Sequence, residues 1–132
     1  MIRVLVVDDD DAFRQTVCDL LANGDFEILS AESGAKSFAV LRNQTVDIVL
    51  TDIVMPDEDG LEIVRKINKM NPAPKIVAMS GGGRIAATDY LKMAKLMGAS
   101  ATIPKPFKQQ QLVDLLQQVF SSPSKRAENV SD

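Results

Sequence analysis

The sequence contains no histidine. That absence excludes a Ser-His-Asp triad, a histidine general base and the usual zinc sites. Any chemistry in this chain must run on carboxylate, lysine and hydroxyl groups. Cysteine is almost as scarce. Cys18 stands alone, so no internal disulfide is available, and its place beside Val17 and Leu21 in a helical pattern reads as a packing residue buried in a reducing compartment. No apolar run approaches the roughly 20 residues that span a bilayer. The opening MIRVLVVDDDD has one Arg, a short apolar stretch and four acids, the pattern of a first strand and not of a signal peptide. A cytoplasmic protein without a membrane partner is therefore expected. Nor is there a basic excess: 15 Lys and Arg face 18 Asp and Glu, a net charge of −3. Direct contact with nucleic acid is not expected of such a chain. Internal repeats and low-complexity segments are absent as well.

What is present is an ordinary globular composition, 45% hydrophobic and 25% charged over 132 residues, enough for one core. The chain is organised around residues 46–60, VDIVLTDIVMPDEDG. Its apolar run, Val46, Ile48, Val49 and Leu50, is too short for a buried helix and rich in β-branched residues, as in a buried parallel strand. The run stops at Asp52, which puts a carboxylate where the strand leaves the sheet. An open α/β sheet builds its site beyond the carboxyl ends of its strands. Pro56 and Gly60 then punctuate a loop before a helical pattern begins at Leu61.

In chain order, Ile2–Val7 is the first strand and residues 12–22 a helix with Phe13, Val17, Leu20 and Leu21 at helical spacing. Asp10 or Asp11 can cap that helix, and Asn23-Gly24 stops it. Phe26–Ala31 is a second strand, and Ser33-Gly34 leads into a helix that closes near Asn43. After the third strand, residues 61–70 place Leu61, Ile63, Val64 and Ile67 on one helical face. Residues 75–79 form a fourth strand ending at Ser80, followed by Gly81, Gly82 and Gly83 and a helix over about 85–97. Residues 101–103 form a fifth strand that ends in Pro104-Lys105-Pro106-Phe107. The last helix, about 109–120, turns Leu112, Leu115, Leu116 and Val119 inward. The domain is expected to occupy residues 1–120, with 121–132 a polar, flexible tail or linker. Five β-α units imply a parallel sheet covered on both faces, and five are too few for a closed barrel. The expected fold is α/β, a doubly wound five-stranded parallel sheet with five helices.

Strands one, three, four and five end in Asp8-Asp9, Asp52, Ser80 and Lys105. On one sheet they leave from one edge and converge at its switch point. Singly, each has an ordinary explanation as a turn, a loop hydroxyl or a surface lysine. Together they point to a site.

The paired Asp8-Asp9, the D-x-x-M-P-x-x-x-G run from Asp52 to Gly60, the Ser80-Gly81 step and the K-P-F from Lys105 to Phe107 carry a resemblance. Over about residues 2–120 the chain resembles a response-regulator receiver domain, the phosphoacceptor module of two-component signalling. The resemblance implies a flavodoxin-like sheet of order 2-1-3-4-5. It implies that Asp52 accepts a phosphoryl group from a sensor histidine kinase or a histidine phosphotransfer protein of a phosphorelay. The protein then switches its binding of an unidentified downstream partner. It is no enzyme beyond its own phosphorylation and dephosphorylation.

Also implied is a Mg²⁺ ion, for which Mn²⁺ can substitute, on Asp9, Asp52 and the backbone carbonyl of Val54, with Asp8 helping directly or through water. Packed carboxylates repel, and a hard cation with oxygen ligands at about 2.0–2.1 Å relieves them. A carboxylate of pKa near ~3.9 is ionised at neutral pH, so Asp52 would need no general base. Lys105 and the metal would neutralise the phosphoryl oxygens, and the Ser80 hydroxyl and the amides of Val54 and Gly81 would donate hydrogen bonds. Gly81 would leave room for the group, and a cis Pro106 would aim Lys105 inward.

Two departures matter. Thr102 stands where members with a swinging ring carry an aromatic, and the glycine run after Ser80 is longer than is common. The conformational change is therefore expected over residues 81–97, following Ser80. Two alternatives stand beside this reading. A haloacid-dehalogenase-like phosphohydrolase needs D-x-D-x-[TV] on strand one, but Ala12 follows the acids here and no cap domain is present. An unphosphorylated interaction module with the receiver fold would have no use for all five of Asp8, Asp9, Asp52, Ser80 and Lys105.

Overall fold

Strands whose residues are apolar without alternation must be covered on both faces. β1 (Ile2–Val7) and β3 (Ile48–Asp52) are of this kind: Val4, Leu5, Val6 and Val7, and likewise Ile48, Val49 and Leu50, are fully buried. In the computed structural model, which describes residues 1–22, 24–81 and 87–123, they lie inside a parallel sheet. The sheet also holds β2 (Phe26–Ala31), β6 (Lys75–Gly81) and β7 (Ala101–Lys105), in the order β2-β1-β3-β6-β7. Counting sheet strands alone, this is the expected 2-1-3-4-5. Alternate residues feed two cores, as the two-residue period of a strand requires. Val4 and Val6 pack with α1 (Asp11–Leu21) and α5 (Gln109–Ser121) on one face. Leu5 and Val7 pack with α2 (Gly34–Asn43), α3 (Gly60–Asn68) and α4 (Ala87–Leu96) on the other.

The register aligns the carboxyl ends. Val7 lies opposite Thr51, Asp52 opposite Met79, Ser80 opposite Pro104 and Gly81 opposite Lys105. Side-chain caps set the starts of α1 and α3. Asp10, not Asp11, caps α1 by accepting from the Phe13 N–H, and Asp59 caps α3 by accepting from the Leu61 and Glu62 N–H groups.

Several boundaries differ from expectation. The stretch after Asp52, expected as a plain loop, contains a small antiparallel hairpin, β4 (Val54–Met55) with β5 (Glu58–Asp59). Gly60 then brings α3 hard against the exit of β3: a Cβ there would stand 2.1 Å from the Ile53 carbonyl oxygen. No side chain fits without moving backbone. β7 continues through Pro104 to Lys105, which an edge strand tolerates because its outer N–H groups have no sheet partner among the described residues. Cys18 is half-buried, not fully buried, beside the α1–α5 core. Its burial pushes the thiol pKa up, against the lowering charge of Arg14, so the group is suited to packing more than to reaction.

Asn23, the expected glycines Gly82 and Gly83, the start of the helix expected at 85 and residues 124–132 of the expected tail lie outside the described residues. No helix among the described residues is long and apolar enough to cross a membrane.

Candidate functional site

Asp52 ends β3, the central strand, and is 6% exposed. Its Oδ1 accepts from the Val54 N–H at 2.9 Å and its Oδ2 from Lys105 Nζ at 2.9 Å. Asp8, just past β1, is fully buried. One of its oxygens accepts from the Asp10 N–H at 3.0 Å and the other from Lys105 Nζ at 2.8 Å. Arg14 donates to the Asp8 carbonyl at 2.7 Å, which fixes the turn that presents the acids. Asp9 is exposed, and one carboxylate oxygen from each of Asp8, Asp9 and Asp52 lies within 4.8 Å of the others.

The electrostatics follow from burial. Two buried carboxylates face one ammonium. Burial raises the Asp52 pKa above the ordinary carboxylate value, against the Val54 N–H and Lys105, and the neighbouring Asp8 charge adds to the rise. The unperturbed value expected from sequence is thus corrected upward. For Lys105, burial alone would lower the pKa, but the hydrogen bonds to Asp8 and Asp52 prevail and hold it above its usual value. An octahedron with ligands at about 2.1 Å separates its oxygens by roughly 3–4.2 Å. Three carboxylate oxygens within 4.8 Å of one another, one on an exposed residue open to water, are near enough to hold such a cation once drawn in by a few tenths of an ångström.

Ser80 is 1% exposed, and its Oγ has no hydrogen-bond partner among the described residues. A buried hydroxyl without a partner is uncommon and calls for a reason. A Cβ at Gly81 would stand 3.2 Å from Lys105 Cδ, so the glycine clears the lysine stem. The Val54 N–H, expected to face an incoming group, is given to Asp52 itself, while Val54 as a residue is 49% exposed. Thr102 is half-buried in β7 opposite Ala78. The Lys105–Pro106 bond is cis, and so is Asn71–Pro72, which the sequence did not suggest.

Two contributors escaped the sequence reading. The Glu58 carboxylate accepts from the Gly34 N–H at 2.7 Å and the Ala35 N–H at 3.0 Å. It thereby supplements the Ser33 cap of α2 and pins the segment after Asp52 to that helix; no local signal links residues 24 apart. The Phe13 ring centroid lies 4.1 Å from Lys105 Nζ, with the Phe107 ring edge-on at 5.8 Å. Helical periodicity marks Phe13 only as apolar. A groove of about 540 Å³ lies elsewhere, bordered by Asp47 and Lys75 at the amino ends of β3 and β6, and holds none of the clustered acids.

The model of the response regulator receiver domain matches residues 4–117. The chain belongs to the response-regulator receiver family. A response regulator receiver protein of Anaeromyxobacter sp. (strain Fw109-5) is 32% identical over 115 residues, covering 87% of this chain and 47% of the relative. The DNA-binding transcriptional regulator NtrC of Azospirillum brasilense is 31% identical over 119 residues, covering 90% of this chain and 24% of the relative. The crystal structure of the NtrX receiver domain from Brucella abortus superposes with a TM-score of 0.82 at 28% identity, covering 91% of this chain and 99% of that one. The chain spans about a quarter to a half of the length of these two curated relatives. The receiver domain is a switch module of two-component signalling and not a conventional enzyme.

Proposed function

We propose that this receiver is switched by a phosphoryl group on Asp52, donated by a sensor histidine kinase or a histidine phosphotransfer protein and read by a downstream protein. The observation that carries the reading is Lys105 Nζ shared between buried Asp8 and Asp52 beside the Ser80 hydroxyl, which has no hydrogen-bond partner among the described residues. In the transfer, an Asp52 oxygen forms the new bond to phosphorus as the bond from phosphorus to the donor breaks, and the donor leaves with that electron pair. Lys105 neutralises charge on the moving group, and Ser80 donates a hydrogen bond to it. Asp8, Asp9, Asp52 and the Val54 carbonyl would hold Mg²⁺ or Mn²⁺, which supplies further charge neutralisation when bound. The chain acts on its own Asp52 alone, in the cytoplasm, with residues 1–120 as the working unit and 121–132 as tail or linker.

Incubation with acetyl phosphate and Mg²⁺ tests this. One phosphoryl mass is expected, mapped to the peptide holding Asp52; an unmodified protein would leave the interaction-module reading in its place. Ser80→Ala adds a finer expectation. Removing a buried hydroxyl that has no partner among the described residues should leave resting stability unchanged or slightly raised. Losing its bond to a charged phosphoryl oxygen costs roughly 1.5–3 kcal/mol, so beryllofluoride should bind about tenfold or more weakly. Equal affinity in the variant removes Ser80 from the site.

A further inference from the structure

Lysine has three N–H donors and no acceptor. At Lys105 two are spent on Asp8 Oδ2 at 2.8 Å and Asp52 Oδ2 at 2.9 Å. The ammonium nitrogen also stands 4.1 Å from the centroid of the Phe13 ring. That is well inside the ~6 Å over which a ring face attracts a cation. The Lys105 side chain is 15% exposed, so water competes little for the contact. The ring is itself held. Phe107 meets it edge to face, with 83° between the planes. The Phe13 N–H is anchored on the Asp10 cap at 3.0 Å. On another side, Gly81 keeps the stem clear, since a methyl there would stand 3.2 Å from Lys105 Cδ.

We propose that Phe13 is the positioning residue for Lys105, holding its ammonium over the acid cluster through the ring face while the phosphoryl group arrives. This rests on the phosphoacceptor reading of Asp52. A phosphoryl group on Asp52 takes over one of its oxygens, and Lys105 must turn an N–H from carboxylate to phosphoryl oxygen. A carboxylate bond is directional and breaks in that turn. A ring face attracts charge over a broad range of angles and keeps its hold. Phe13 has no polar atom to offer the phosphoryl group, so it acts through Lys105. The third residue of the K-P-F run gains a reason too, because Phe107 braces the ring that braces the lysine.

The test uses the whole chain with Phe13→Leu, which keeps apolar bulk without a π face, and Phe13→Tyr, which keeps the face. Without ligand, the ε-methylene protons of Lys105 should be shifted upfield by the ring in wild type and Phe13→Tyr and return to ordinary values in Phe13→Leu. In Mg²⁺, Phe13→Leu should weaken beryllofluoride binding about fivefold to tenfold, and Phe13→Tyr by less than about twofold. In a Lys105→Met background the Phe13→Leu effect should vanish. An equal loss in both backgrounds overturns the proposal, because the ring would then act by packing alone. So does the absence of an upfield shift, or full affinity in Phe13→Leu. Phe13→Met carries the same comparison should Phe13→Leu fail to fold. A wild type that binds no beryllofluoride overturns the phosphoacceptor reading and the role built on it, and the proton shift then still decides whether ring and lysine touch.

Discussion

Asp52→Asn protein is expected to take up no phosphoryl group, whether from acetyl phosphate or from a cognate kinase. The sheet order gives the reason. β3 is flanked by β1, which ends in the acid pair, and by β6, which carries Ser80, while Lys105 reaches in from β7 beyond. Only Asp52 has the acids on one side and the hydroxyl on the other. Asp8 is fully buried, with both carboxylate oxygens engaged. A stable label in the variant, mapped to another acid, would sink the assignment.

The same substitution should stabilise the metal-free protein at neutral pH, and the sign follows from the raised Asp52 pKa. The unfolded chain loses the Asp52 proton near the ordinary value of 3.8, while the folded chain keeps it to higher pH. Between those two values the folded state binds more protons, so stability falls as pH rises. Asn has nothing to titrate, yet its amide oxygen still accepts hydrogen bonds. The advantage of the variant should therefore be small below pH 3.8, grow through that window and level off above the folded pKa. Urea titrations in chelator at low and neutral pH measure it. A constant advantage, or one that shrinks towards neutrality, contradicts the burial argument.

Removing divalent metal should halt phosphorylation and lower stability together. A ligand at a hundredfold excess over its dissociation constant adds about 2.7 kcal/mol. In a domain of this size that is roughly 10 °C in melting temperature. The acids are the motive, since Asp8, Asp9 and Asp52 bring three carboxylates together and Lys105 directly engages two of them. Asp9→Asn separates metal from fold. Asp9 is exposed, so its loss should shift metal-free stability by no more than about 0.5 kcal/mol and abolish most of the metal-dependent gain. Melting and labelling both indifferent to chelator would mean that the cluster holds no functional ion.

Legibility in the sequence tracked the range of the physics involved. Unbroken apolar runs such as Val4 to Val7 can be satisfied only inside a two-sided sheet, so strands and their ends were readable. Strand ends in a parallel sheet share an edge, so Asp8, Asp52, Ser80 and Lys105 could be gathered without coordinates. The hairpin of β4 and β5 was not readable, because a two-residue pairing leaves no periodicity. Nor was the raised Asp52 pKa, which depends on how much water the folded site excludes.

The sequence alone determined that this is a five-unit α/β domain with carboxylates, a hydroxyl and a lysine at strand ends, because local patterning suffices for that. Only the tertiary structure decided that Lys105 bridges Asp8 and Asp52 under the Phe13 ring, that Ser80 Oγ has no partner among the described residues, and that Glu58 reaches the first N–H groups of α2. Those facts depend on distances between residues far apart in the chain, and distances of that kind exist only once the core has packed.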